Sequence, residues 1–324
     1  MRGVYAISLL IIMTFFSGCI HEYPKGEVII PDDIEFGIEL DLDLEWKQYA
    51  TQLDLKSRAG YDSPHRIIIE VAKGSDVLGR DIIYLSDEDF SEGTVTHKLS
   101  FNLKPTEYKI GIWYDYCREW EEETYYNAAD LSNVSQIQNV IKWDTKMHCG
   151  YASEYIDLRK YNGQPNVRLL KKMELKHPGA RFELVATDVT DFLAYQDPLI
   201  QLGETYTITL EFSQIVPATF NVFEGYAIEG ADRSLTDGPL TIPFGRYEQL
   251  SIASGFIFCD EEMTIEMRIA VHNSARVPII QSQWFDFKVR PGTLTRVFAQ
   301  FLSERVESTF IIDNIWAGEI FIDI

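Results

Sequence analysis

The chain has little positive charge for its size. Its 324 residues include 29 lysines and arginines against 50 aspartates and glutamates, which gives a formal net charge of −21 at pH 7. Nucleic-acid binding needs basic side chains that displace the counterions of phosphates, and anionic lipid headgroups also attract basic surfaces. The composition therefore argues against a nucleic-acid partner and against attachment to a membrane through a charged surface.

The sequence also lacks the common motifs of catalysis and metal binding. It contains no G-x-S-x-G, H-E-x-x-H or phosphate-binding loop, and its six histidines are scattered without metal-ligand spacing. Its four cysteines form no C-x-x-C pair. The acids of the stretch 36–46 alternate with apolar residues, which is typical of the wet face of a strand rather than a catalytic pair. We therefore predict no enzymatic activity, no metal and no cofactor.

The N-terminus resembles the signal peptide and lipobox of bacterial lipoproteins. A short basic start precedes an apolar run at residues 4–16, shorter than the ~20 residues of a membrane-spanning helix, and a Ser-Gly pair then leads directly into Cys19. The resemblance implies removal of residues 1–18 and attachment of fatty acyl chains, such as palmitate, at Cys19. An ordinary signal peptide followed by an incidental cysteine is the alternative.

Alternation with period two dominates the rest of the chain and predicts an all-β fold. The clearest examples are segments 36–46, 67–71, 108–116, 206–210, 263–271 and 284–288. Residues 19–33 contain two prolines and a glycine and are typical of a tether. We predict short helices at Ala128–Ile141 and Asp188–Tyr195, and a final strand at Ile320–Ile324.

A turn-rich stretch, Tyr161–Asn166, lacks an apolar pattern and divides the chain after the tether into similar halves. Each half holds about seven alternating segments, the number usual for a β-sandwich. We therefore predict an N-terminal β-sandwich domain at residues 34–162, with an insertion near 115–149, and a C-terminal β-sandwich domain at residues 163–324.

Two sets of residues are candidates for specific roles. Cys117 and Cys149 lie in the same predicted domain and can form a disulfide in an exported protein, or they are buried thiols. Trp120 and Trp143 lie in the predicted insertion among polar residues. They are either exposed aromatic contacts for a glycan or a protein, or packing residues on the sandwich.

Three later segments resemble the fimbrillin-associated anchor and accessory lipoproteins of Bacteroidota fimbriae. The segment Met173–Leu193 is similar to the strand and short helix that open the second domain of that family, although Lys176-His177-Pro178 stands where Arg-Pro is usual. Ala218–Gly225 resembles the family's Y-N-V-F-T-G segment, and Ile257–Met267 resembles a late hairpin. The segments also occur in the family's order.

This resemblance implies two tandem transthyretin-like β-sandwiches in a lipid-anchored protein of the outer membrane, exposed at the cell surface. It implies an anchor or accessory subunit that is joined to fimbrial pilin subunits by β-strand addition. The alternative is a surface glycan-binding lipoprotein, which would use Trp120, Trp143 and the Tyr125-Tyr126 pair as stacking groups.

Overall fold

The structure, a computed structural model, describes residues 33–41, 65–86, 94–117, 125–137, 147–192, 194, 206–230, 234–240, 249–302 and 309–313. Within these ranges, strands β1 to β20 lie in chain order at Glu35–Asp41, His65–Lys73, Asp76–Leu85, Thr94–Lys98, Glu107–Tyr116, Tyr126–Asn127, Val134–Gln136, Cys149–Asp157, Arg168–Glu174, Gly179–Ala186, Tyr206–Phe212, Pro217–Asn221, Tyr226–Glu229, Ser234–Leu240, Leu250–Phe258, Met263–His272, Pro278–Gln281, Phe285–Val289, Leu294–Ala299 and Thr309–Asp313. The predicted all-β class is confirmed.

The first sandwich packs the sheet β4-β1-β9 against the sheet β3-β2-β5-β8. Alternation in β1 turns Phe36, Ile38 and Leu40 into the space between the two sheets, and Ile67 and Ile69 of β2 belong to the same buried cluster. Burial of a side chain of this size stabilises the fold by about 1.5–3 kcal/mol. The period-two pattern of the sequence therefore predicts the inner face of this sandwich correctly.

A basic strand neutralises the wet face of β1. Strand β9 pairs with β1 in parallel, so Lys172 forms an ion pair with Glu39, while Glu35 contacts both Lys98 and Arg168. The acids of β1 thus line a solvated face, as the alternation predicts. Strand β9 follows the domain boundary predicted at residues 162 and 163, yet it completes the first sandwich. The limits of the two domains stay a prediction. In the described residues, β9 of the first sandwich ends at Glu174, and the first strand of the second sandwich, β10, begins at Gly179.

The central strands β2 and β5 of the sheet β3-β2-β5-β8 are buried on both faces, which simple alternation does not predict. Residues 125–137 cover the second face of the sheet, and this face holds polar side chains. Arg66 donates two hydrogen bonds to Asp115, at 2.8 and 2.6 Å, and the Trp113 indole donates a third at 3.0 Å. The helix predicted at Ala128–Ile141 is wrong within the described residues, where a turn leads into β7 instead.

A small sheet connects the two halves of the chain. Its strand order is β13-β12-β7-β6, so β12 of the second half pairs with β7 of the first. The backbone N–H of Val222 also donates to the Leu131 carbonyl at 2.8 Å. Phe220, Phe256 and Phe258 belong to the first-half core although they lie in the second half of the sequence. The halves therefore share one hydrophobic cluster.

The second sandwich packs the sheet β15-β10-β19-β20 against a sheet in which β16 pairs with β11 on one side and with β17 and β18 on the other. Phe182, Met267 and Phe287 lie in its core. A helical turn at Val189–Phe192 follows β10, as predicted, and the Asp188 carboxylate accepts a hydrogen bond from the Leu302 backbone at 2.9 Å. The predicted final strand at Ile320–Ile324 lies outside the described residues.

Candidate functional site

Strand β3 is a long edge strand that exposes apolar side chains. It forms one end of its four-stranded sheet, and within the described ranges no strand pairs with its outer edge. Val77, Leu78 and Ile82 are 49%, 52% and 44% exposed. A long apolar edge with unpaired backbone groups is a template for the addition of another strand, and proteins usually protect such edges. This edge is therefore the candidate site for binding a partner.

The hairpin that ends in β3 has a well-defined register. Gly74 adopts a φ of 63° in the two-residue turn between β2 and β3, a conformation that favours glycine. The ladder then runs from Lys73 opposite Asp76 to His65 opposite Leu85, with one irregularity. The turn and the ladder together fix which residues of β3 face outwards.

The inner face of β3 is held by close packing and a buried carboxylate. A Cβ at Gly79 would lie 2.3 Å from the Phe101 ring, so only glycine fits beneath this ring. The Asp81 carboxylate accepts hydrogen bonds from His97 Nε2 at 2.9 Å, the Ser100 N–H at 2.8 Å and the Ser100 hydroxyl at 2.5 Å. Burial raises the pKa of Asp81, but these hydrogen bonds outweigh it and leave the pKa below its ordinary value.

The opposite face of β3 is held by an arginine that reaches the covering segment. Arg80 forms an ion pair with Glu70 of β2 and donates hydrogen bonds to the Ala128 and Ala129 carbonyls, at 2.7 and 3.0 Å. Burial raises the pKa of Glu70, and Arg80 offsets only part of this effect. Side chains on both faces of β3 are thus held by contacts with other parts of the first sandwich and with residues 125–137.

A second apolar patch lies on the other sandwich. Trp284 is 42% exposed, and the Arg268 guanidinium lies 4.7 Å from its ring centroid while donating to Glu211 at 2.6 Å. Val277, directly before β17, and Ile279, within β17, are also exposed. Strand β17 contains a proline, which lacks a backbone N–H, and spans only four residues. Its edge therefore offers fewer backbone donors than β3.

A family model matches residues 31–324 and describes a family of unknown function, DUF6562. The chain belongs to this family. No curated protein matches the chain. Among solved structures, the fimbrial anchor protein Mfa2 from Porphyromonas gingivalis is similar, with 11% identity, a TM-score of 0.46, and coverage of 88% of this chain and 98% of Mfa2.

A fimbrial assembly protein from Parabacteroides distasonis is also similar, with 10% identity and a TM-score of 0.40. That match covers 87% of this chain and 96% of the other. Fimbrial anchor and assembly proteins of Bacteroidota are therefore among the structural neighbours of this DUF6562 member. Their descriptions name anchoring and assembly rather than an enzymatic activity.

Most site residues predicted from the sequence lie outside the described residues, namely Cys19, Trp120 and Trp143. Cys117 and Cys149 are buried thiols in the structure, and Cys149 lies opposite Asp115 on the strand that Cys117 follows. Their disulfide stays a prediction. Burial raises the pKa of the Cys149 thiol well above its ordinary value. The described residues contain no helix long and apolar enough to span a membrane, and no cluster of acidic, histidine and cysteine side chains able to hold a metal.

The sequence-based prediction missed the β3 edge. Its apolar residues occur as adjacent pairs, Val77-Leu78 and Ile82-Ile83, on either side of Gly79. Adjacent apolar residues have no period-two signal, although they place an apolar side chain on each face of a strand. Such a pair, one residue after the Gly74-Ser75 turn, is the signal that could have identified an exposed apolar edge.

Proposed function

We propose that this DUF6562 protein is a lipid-anchored subunit of the outer membrane, acting as an anchor or accessory component of a cell-surface fimbria. The β3 edge is the single observation that carries the proposal. In β-strand addition, main-chain hydrogen bonds to an open edge supply affinity, and alternate side chains fill pockets. The exposed side chains of β3 match that requirement, and a pilin strand is the proposed occupant. The Ser-Gly-Cys19 sequence supports the lipid anchor.

Substitution on the β3 edge tests the proposed contact with pilin. Ile82→Lys introduces a charge that an added strand would have to desolvate, and we expect the recovery of co-purified pilin to fall at least tenfold. Because Ile82 is already exposed, the stability of the protein itself is expected to change by about 0.5 kcal/mol or less. The measurement is pulldown of the polymerised pilin of the same organism, together with urea unfolding of each variant.

Ile215→Lys is the matched control, since Ile215 is 50% exposed but lies outside the strands. It should bind pilin like the unmodified chain. Equal recovery of pilin by the Ile82 and Ile215 variants would exclude this edge as the pilin site. Binding of a polysaccharide in place of pilin would instead favour the glycan-binding alternative.

The lipid anchor has its own test. Acyl chains stabilise membrane attachment by about 0.8 kcal/mol per buried CH₂, so Cys19→Ala should move nearly all of the protein into the soluble fraction. Cys259→Ala changes a buried thiol in the second core and should leave the protein in the membrane fraction. Fractionation and intact mass measure the outcome. Continued membrane attachment of the Cys19 variant would contradict lipidation at this residue.

A further inference from the structure

The contacts of β3 show which of its residues share a face of the sheet. Arg80 donates hydrogen bonds to carbonyls of residues 125–137 on one side, and Asp81 accepts a hydrogen bond from β4 on the other. Successive side chains of a strand point to opposite faces. Ile82 therefore shares the face of Arg80, which we call the outer face, whereas Ile83 shares the face of Asp81, the inner face.

The inner face of β3 is apolar towards its second half and is only partly covered. Ile83 and Leu85 pack against the core of the first sandwich but stay partly accessible, and so does Phe101, whose ring lies against Gly79. Strand β3 ends its sheet within the described part of the chain. A strand added beyond it would lie about 4.8 Å away, and its inward side chains would continue this partly covered apolar row.

The outer face of β3 also presents apolar side chains. Ile82 is 44% exposed on this face. Near the start of β3 the ladder with β2 has one register shift, and the adjacent residues Val77 and Leu78 are both about half exposed. The outward side chains of an added strand would lie beside Ile82, because directly opposite residues of paired strands share a face. An added strand therefore meets apolar side chains on both of its faces.

The charged side chains in the middle of β3 are already paired within the protein. Arg80 forms an ion pair with Glu70, and Asp81 contacts His97. A charged side chain on an added strand would lose water on binding, and it would have to compete for a β3 charge that already has a partner. The charges of this edge therefore match an uncharged strand better than a charged one.

We infer that the strand which adds to β3 is apolar on both faces, with a run of about five consecutive uncharged apolar residues, the length of a typical strand. The inference rests on the proposal that β3 accepts a strand of pilin, and it names the kind of pilin segment that fits. An alternating segment would cover one apolar row and place polar side chains against the other. Each apolar cross-strand pair that is lost weakens binding by up to about fivefold, so an alternating strand is expected to bind about tenfold more weakly.

Titration of three synthetic peptides into the full chain carrying Cys19→Ala tests the inference. One peptide has Val-Ile-Val-Ile-Val between two pairs of lysines and is apolar on both faces. The other two have Val-Ser-Val-Ser-Val and Ser-Ile-Ser-Ile-Ser between the same lysines, so each is apolar on one face only. The equal lysines make general attraction to the acidic chain the same for all three. Calorimetric titration is expected to show about tenfold tighter binding of the first peptide than of either alternating peptide.

Hydrogen exchange and two variants locate the bound peptide. The amides of β3 should gain protection in the complex, Ile82→Lys should abolish binding of the first peptide, and Ile215→Lys should leave it unchanged. If an alternating peptide bound to β3 as tightly as the first, this inference would be wrong, although β3 would remain an edge that accepts a strand. If no peptide protected the β3 amides, the inference would be wrong and the proposed pilin site at β3 would be contradicted as well.

Discussion

Asp115→Ala is expected to lower the free energy of unfolding by about 3–5 kcal/mol. Asp115 is 1% exposed and accepts hydrogen bonds from Arg66 and from Trp113, so its removal leaves a buried guanidinium without this counter-charge and an indole N–H without this acceptor. A buried ion pair contributes little in net terms, but removal of one partner is costly because the other charge stays buried. Urea unfolding at pH 7.5 measures the loss.

An exposed pair with similar geometry provides the control. Arg159 donates to both carboxylate oxygens of Asp157, at 2.9 and 2.7 Å, but both side chains lie at the surface. Asp157→Ala should therefore change stability much less than Asp115→Ala. The double variant Arg66→Met, Asp115→Leu should recover much of the lost stability because it removes both buried charges. Equal losses from Asp115→Ala and Asp157→Ala would contradict the role given to burial.

Phe220→Ala is expected to lower the free energy of unfolding by about 3–5 kcal/mol and also to uncouple the two halves. Phe220 is fully buried, and its ring centroid lies 4.7 Å from that of Tyr151 and 5.9 Å from that of Phe258. It comes from β12, which pairs with β7, so the cavity opens where the halves share a core. Calorimetry should therefore resolve two transitions instead of one.

Phe287→Ala removes the same side chain from the core of the second sandwich. We expect a similar loss of stability, but the amides of β7, Val134–Gln136, should keep their protection from hydrogen exchange. The Phe220 variant should lose that protection. If both variants left β7 equally protected, the pairing of β12 with β7 would not depend on Phe220.

Alternation predicted the strands that have one buried face, and it could not predict their partners. The residues of β1 show the pattern clearly, but the parallel pairing with β9 joins segments that are more than one hundred residues apart. Likewise, nothing local to Arg66 or Asp115 indicates that residues 125–137 cover them. Burial of polar residues on a second face depends on distant parts of the chain, so a periodic pattern contains no signal for it.

The failed helix at Ala128–Ile141 has a similar cause. Ala128, Leu131 and Val134 have helical spacing, and all three are buried. They are buried in a turn and a short strand because Arg80 binds the Ala128 carbonyl and β12 pairs with Val134. By contrast, the turn at Val189–Phe192 was predictable, since Asp188 is an acidic residue directly before its first residue. A sequence pattern therefore predicted the secondary structure correctly where neighbouring residues determine it, and failed where contacts with distant strands determine it.

The position of β1 has a mechanical consequence. It is the first strand in the described part of the chain, and it lies in the centre of its three-stranded sheet, between β4 and β9. Tension applied through the preceding residues along the strand axis would load two ladders of hydrogen bonds in shear at the same time. One of these ladders belongs to β9, which leads directly towards the second sandwich. A force applied on the N-terminal side of β1 would thus be shared between the hydrogen bonds to β4 and those to β9.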